Sequence, residues 1–237
     1  MNKQPYDYRG FSLSRLNEPR FAHVKLLGGW IVYFVLYFVT ENLIPASRCH
    51  PVHCWLDDVI PFNEFFAIFY VGWYFLVFGS LAHTFFYDVP RFRKLQTFIM
   101  ITQAVAMLWY ILWPSRQDLR PTVFPRDNLL TDLMKFIYAF DTNTGVCPSL
   151  HAAYSLGILS VGLKDRKLPR VWKGALIFAV IMICLSVCFV KQHSAVDVFA
   201  ALPVCLLAEY LVYGKSYWRP RLRREARGQT QQYSRGR

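Results

Sequence analysis

The sequence predicts an all-α membrane protein: a polytopic bundle of six transmembrane helices with both termini on the cytoplasmic side. Three observations carry that expectation. The 237-residue chain is 54% hydrophobic and 17% aromatic, too apolar for an ordinary soluble domain or a disordered chain. Six stretches, 25–44, 65–87, 95–113, 148–163, 172–190 and 194–213, approach the roughly 20 apolar residues that cross a bilayer. The net charge of +12 is sorted along the chain, with 21 of the 27 Lys and Arg falling in 1–25, 88–94, 164–173 and 215–237. Those segments share one side of an alternating bundle, and the positive-inside rule makes that side cytoplasmic.

Residues 1–24 are polar and lack the apolar core and small-residue cleavage site of a signal peptide, so the first span serves as the membrane signal. That span ends near Glu41 and Pro45, and an outward loop runs to about residue 62. Cys49, His50, His53 and Cys54 lie in this loop. They read as a Cys49–Cys54 disulfide in an oxidising compartment, as a Cys/His metal site, or as free thiols. The second span returns to a short basic inner turn, "DVPRFRK", and the third climbs to Trp113-Pro114. Trp55, Trp73, Trp109, Trp113 and Trp172 fit interfacial anchoring.

In the long outward connection, 114–147, the segment 127–140 has Leu129, Leu130, Leu133, Phe136, Ile137 and Phe140 at helical spacing with Asp127 near the start. This predicts an amphipathic helix on the membrane surface, with a lipid-access role as the alternative. The fourth span is short, which is tolerable where its first turn opens into a polar cavity within the protein. Cys184, Cys188 and Cys205 fall within spans as core filler. The membrane domain is therefore 25–213, and 214–237 is a basic cytoplasmic tail attracted to anionic headgroups rather than a nucleic-acid-binding element.

Three polar clusters interrupt the apolar pattern at one membrane depth. Arg116-Gln117-Asp118-Leu119-Arg120-Pro121 follows the third span, Cys147-Pro148-Ser149-Leu150-His151 opens the fourth, and Lys191-Gln192-His193-Ser194-Ala195-Val196-Asp197 opens the sixth. Two helix N-termini aimed at one spot present unpaired N–H groups to an anion, and Arg116, Arg120 and Lys191 add charge. Asp197, four residues after His193, can accept from one ring nitrogen and leave the other as a nucleophilic lone pair. His151 can protonate a leaving group, and Ser149 can hydrogen-bond a phosphoryl oxygen. Each cluster also has a plain structural reading, and Ser194 with Asp197 fits a helix capping box.

These residues resemble the type 2 phosphatidic acid phosphatase superfamily, whose signature is K-x6-R-P, P-S-G-H and S-R-x5-H-x3-D. Arg120-Pro121 matches the end of the first part, Pro148-Ser149-x-His151 the second, and Ser186, His193 and Asp197 the third, within a stretch covering about residues 60–213. Trp113, Leu150 and Val187 stand where the signature has Lys, Gly and Arg, and Arg116 and Lys191 are the substitutes for the lost cations. The forms "CPSLH" and "KQHSAVD" are most similar to the inositol phosphorylceramide synthase-like branch.

The resemblance implies a multi-pass enzyme of the plasma membrane or another cellular membrane, with its active site on the non-cytoplasmic face. It would cleave or transfer the phosphoryl group of a lipid phosphate or phospholipid through a phosphohistidine. His193, His151 and Asp197 are the expected catalytic residues, Arg120, Ser149, Arg116 and Lys191 the expected phosphate-binding ones, with no metal or other cofactor. A headgroup phosphotransferase and a non-catalytic lipid-binding or scramblase-like protein are the alternatives.

Overall fold

The computed structural model describes residues 4–221. The fold is mostly helical. Its α-helices are α1 (Gly28–Leu43), α2 (Trp55–Val59), α3 (Ala67–Tyr87), α4 (Val89–Leu112), α5 (Leu129–Phe140), α6 (Leu150–Lys164), α7 (Arg170–Phe189) and α8 (Ala195–Tyr213). Two short strands, β1 (His50–Pro51) and β2 (Ser115–Arg116), pair in parallel with His50 opposite Ser115. Among the described residues five helical segments are long and apolar enough to cross a membrane: Ala22–Leu43, Glu64–Tyr87, Val89–Leu112, Arg170–Phe189 and Ala195–Arg221.

The remaining stretch of the six, α6, has 15 residues, about 22 Å of helix against about 30 Å of hydrocarbon. Its shortness is explained by its place in the bundle. Helices α3, α4, α7 and α8 all pack on it, and Ala152, Ala153, Tyr154, Gly157, Ile158 and Val161 are buried. A helix largely enclosed by protein need not match the bilayer thickness, because its backbone is intrahelically bonded and most of its side chains pack on neighbouring helices. Gly157 sets the α4–α6 approach, since a Cβ there would lie 2.7 Å from the Phe98 ring, and Phe98 is itself 1% exposed. Gly157→Val should therefore overpack the bundle by about 1–3 kcal/mol, seen as a lower unfolding temperature of the purified protein. An unchanged temperature would mean that this contact is loose.

Two boundaries differ from the sequence reading. The basic "DVPRFRK" segment is the first turn of α4 rather than a separate turn: Asp88 caps it by accepting from Arg91 N at 3.3 Å, with Pro90 in the opening turn, so α3 and α4 are joined by one residue. The cap of α5 is Asn128, which accepts from Leu130 N and Thr131 N at 3.0 Å. Asp127 instead pairs with Lys135 at 3.1 Å in solvent.

The polar N-terminal segment is also more than a solvated extension. Phe21 and His23 are buried, and the Tyr8 hydroxyl donates to Phe85 O at 2.8 Å while lying 2.8 Å from His23 Nε2. This fastens the segment to the end of α3. Residues 222–237 of the basic tail lie outside the described residues.

Cys49 and Cys54 are free thiols, the third of the readings open to them, and not the disulfide that an oxidising compartment would permit. Cys49 is buried with its thiol directed to Pro45 O, and Cys54 is the N-cap of α2. The intervening histidines are engaged separately, His50 stacked on Trp113 at 4.4 Å and His53 paired with Asp58 at 2.8 Å.

Candidate active site

The chain brings parts of all three polar clusters together at the end of the bundle where α4 stops and α6 and α8 start. The α6 start is tied to the α8 start by Ser149 N–H donating to Asp197 O at 2.9 Å. The segment after α4 joins them through Arg120, whose guanidinium donates to Gln192 Oε1 at 2.6 Å. Gly145, in the left-handed region at φ +61°, makes the turn that lets its N–H reach Ser115 O at 2.8 Å and delivers the chain to α6.

At the centre are two histidines 42 residues apart in sequence. His193 Nδ1 lies 3.1 Å from Asp197 Oδ2, and His193 Nε2 lies 3.4 Å from His151 Nδ1. His193 is not inside α8, as a simple one-turn spacing would have it. It precedes the Ser194 N-cap, and its own N–H is held by Val187 O at 3.0 Å.

Asp197 therefore does two things at once. Its Oδ2 closes the capping box by accepting Ser194 N–H at 3.0 Å and also receives the His193 ring. The structural and chemical readings of "HSAVD" coincide in one oxygen. Asp197 is 0% exposed and His193 7%, so their interaction is poorly screened and strong. With Nδ1–H directed to the carboxylate, the Nε2 lone pair is left available.

His151 sits among aromatic rings. Its centroid lies 4.1 Å from Trp73, 4.9 Å from Tyr70 and 5.4 Å from His193. Its Nε2 is buried and, like Asp197 Oδ1, has no hydrogen-bond partner among the described residues. Cys147 flanks this carboxylate; burial, reinforced by the Asp197 charge, pushes its thiol up to about 12.

The expected phosphate-binding residues are placed differently. Arg116 pairs with Asp118 at 3.0 Å and donates to Ala46 O and Cys49 O, so it fastens the 46–51 loop. Lys191, in the left-handed region at φ +52°, donates through Nζ to Asp57 O at 2.8 Å and also to Ile60 O. None of these contacts is with the histidine pair.

Ser149 is fully buried and caps α6, accepting from Ala152 N at 3.4 Å. Arg120 does reach the site's edge, but its guanidinium also donates to Tyr138 O, Asp141 O and Thr142 O at 3.1, 2.9 and 2.7 Å. A cation at the carbonyl end of a helix is favourable, and here it anchors the end of α5. Burial lowers the Arg120 pKa, yet a guanidinium keeps its charge.

The N-terminus of α8 does not present free N–H groups either. Ala195 N–H goes to Asp57 Oδ1 at 2.8 Å and Val196 N–H to Ser194 Oγ at 3.2 Å, because a buried carboxylate from α2 already occupies it.

Several site residues were not legible beforehand. Gln192, 4% exposed, links Arg120 to Tyr70 and Asp141; only its neighbour His193 marked it. Tyr70 looked like an ordinary span residue and Asp141 like loop, and Trp73, expected as an interfacial anchor, instead packs on His151. Burial raises the Asp141 pKa, partly opposed by the Arg120 charge.

Among the described residues no group of three or more His, Cys, Asp or Glu is arranged to hold a metal ion. Comparisons with protein-family models, with curated proteins and with solved structures find no match to this chain.

Proposed function

We propose that this chain is an integral membrane enzyme that cleaves or transfers the phosphoryl group of a lipid phosphate or phospholipid through a phosphohistidine at His193. The observation that carries the reading is the Asp197–His193–His151 array, buried at Asp197 and His193 and part-buried at His151, with 3.1 Å and 3.4 Å separations, assembled from two helix starts. Five apolar helices supply the membrane setting, and the motif resemblance supplies the substrate class.

In the first step the Nε2 lone pair of His193 forms a bond to phosphorus. The P–O bond to the leaving group breaks, and His151 gives a proton to the departing oxygen. Asp197 stabilises the charge that develops on the His193 ring. In the second step water, or a lipid alcohol in the transferase form, loses its proton to His151 and takes the phosphoryl group from Nε2. The entering phosphoryl group takes the place of the direct contact between His193 Nε2 and His151 Nδ1.

The engagement of Arg116 and Lys191 elsewhere favours a second reading, a protein that binds lipid phosphates without turning them over. Purified protein reconstituted with lipid phosphomonoesters, phosphodiesters and a lipid alcohol separates them. Release of phosphate or headgroup, or a new phospholipid, supports catalysis, and binding without either product supports the second reading.

The histidine array belongs to the non-cytoplasmic face in this proposal, because 21 of 27 basic residues then lie on the cytoplasmic one. Exposed Leu129, Phe136 and Phe140 on α5 fit a helix lying at the interface beside the site. In a cysteine-free background, Val59→Cys should react with an impermeant thiol reagent added to intact cells and Ser216→Cys should not; both positions are exposed. The reverse pattern would invert the topology.

A further inference from the structure

Asp57 is a buried acid that the proposed chemistry does not use. It lies in α2, 4% exposed, and far from His193 in sequence, yet its carboxylate is directed into the segment that carries that histidine. Oδ2 accepts the Ser194 hydroxyl at 2.5 Å and Cys54 N–H at 2.8 Å, and Oδ1 accepts Ala195 N–H at 2.8 Å.

The end of α2 also grips the other side of His193. The carbonyls of Asp57 and Ile60 take the Lys191 ammonium, and Lys191 itself is held in a left-handed backbone conformation at φ +52° that a side-chain-bearing residue keeps only where surrounding contacts enforce it. His193 thus sits between two residues, Lys191 and Ser194, that are both fixed by 57–60. Burial alone would raise the Asp57 pKa, but the hydrogen bonds from Ser194, Ala195 and Cys54 more than offset it and hold it below the usual carboxylate range, so the acceptor is ionised when it holds the segment.

We propose that Asp57 is a positioning residue: through Ser194 and the first turn of α8 it fixes the Asp197–His193 pair in the orientation that directs His193 Nε2 at the reacting phosphorus. The path is continuous in the structure. Asp57 holds the Ser194 hydroxyl, Ser194 N–H meets Asp197 Oδ2, and that oxygen meets His193 Nδ1. Small misplacements of a reacting group are costly, of order a hundredfold in rate for about 1 Å. Asp57 touches no reacting atom, so its loss should lower the rate of phosphoryl transfer more than substrate affinity. The rate effect rests on the phosphohistidine reading, but the effect on the ring does not.

The test uses the full chain in lipid nanodiscs with nitrogen-labelled histidine. The Nδ1–H signal of His193, assigned by its absence in His193→Gln, reports the ring's hydrogen bond directly. Asp57→Asn should shift that signal and speed its exchange with water, whereas Asp58→Asn, an exposed neighbour paired with His53, should leave it alone. With a lipid phosphoester, Asp57→Asn should lower kcat about ten- to a hundredfold with little change in KM, and Asp57→Glu should recover part.

If the path runs through Ser194, the double variant with Ser194→Ala should lose less than the product of the two single losses. An unmoved His193 signal in folded Asp57→Asn would overturn the proposal whatever the activity, and so would a kcat within about twofold of wild type or strictly additive losses. A signal that moves in a protein turning over no lipid phosphoester would instead refute the proposed function and leave the positioning role standing.

Discussion

His193→Ala should abolish turnover and the phosphoenzyme together, a loss of about four orders of magnitude or more. His193 is the proposed group that forms the covalent bond, and its Nδ1 lies 3.1 Å from the fully buried Asp197 carboxylate, which leaves Nε2 to meet phosphorus. The variant should fold. His193 precedes α8, and the capping box of Ser194 and Asp197 survives without the imidazole. Loss of activity with an unchanged unfolding temperature is therefore expected, measured by lipid turnover alongside thermal unfolding. Substantial turnover in the alanine variant would remove His193 from the mechanism.

His151→Ala should fail in a different way. A general acid is worth about a hundredfold to ten-thousandfold, but only where the leaving group needs a proton. Hydrolysis of a lipid alkoxide ester should fall by that amount, while hydrolysis of an activated nitrophenyl phosphoester should fall far less in the step that forms the phosphoenzyme. The comparison is a ratio of two rates on one protein, so partial misfolding cancels. Equal losses on both substrates would assign His151 a binding or packing role, to which its seat between Tyr70 and Trp73 would then be owed.

The helices were legible because apolar runs and their breaks are local properties. The candidate histidine array was legible because its members carry fixed spacing within "CPSLH" and "KQHSAVD" and because alternating chain direction brings those segments to one end. What could not be read is where long cationic side chains point. Arg120 was expected at the phosphate from its motif match, and Arg116 and Lys191 from proximity along the chain, yet each finds backbone carbonyls. A long cationic side chain takes the nearest acceptors, and those carbonyls belong to segments 46–49, 57–60 and 138–142, where short helices meet loops and whose positions no periodicity encodes.

Asp57 escaped notice for the same reason, since its partners lie across the fold. The disulfide reading of Cys49 and Cys54 failed because Cys-x4-Cys spacing says nothing about where the two side chains point, and here Cys54 is taken up as a helix cap. The short α6 was recognised as exceptional, but enclosure by four helices, rather than a polar opening alone, is what the packing shows.

The central claim is a covalent phosphoryl group on His193. Protein incubated briefly with a lipid carrying radiolabelled phosphorus, quenched in alkali and digested, should yield one labelled peptide containing His193, with label stable in base and lost in acid as a phosphoramidate is. The label should appear before product and vanish when excess unlabelled substrate is added. Turnover with no labelled protein at any time, or label that is stable in acid and maps to another residue, would contradict the account.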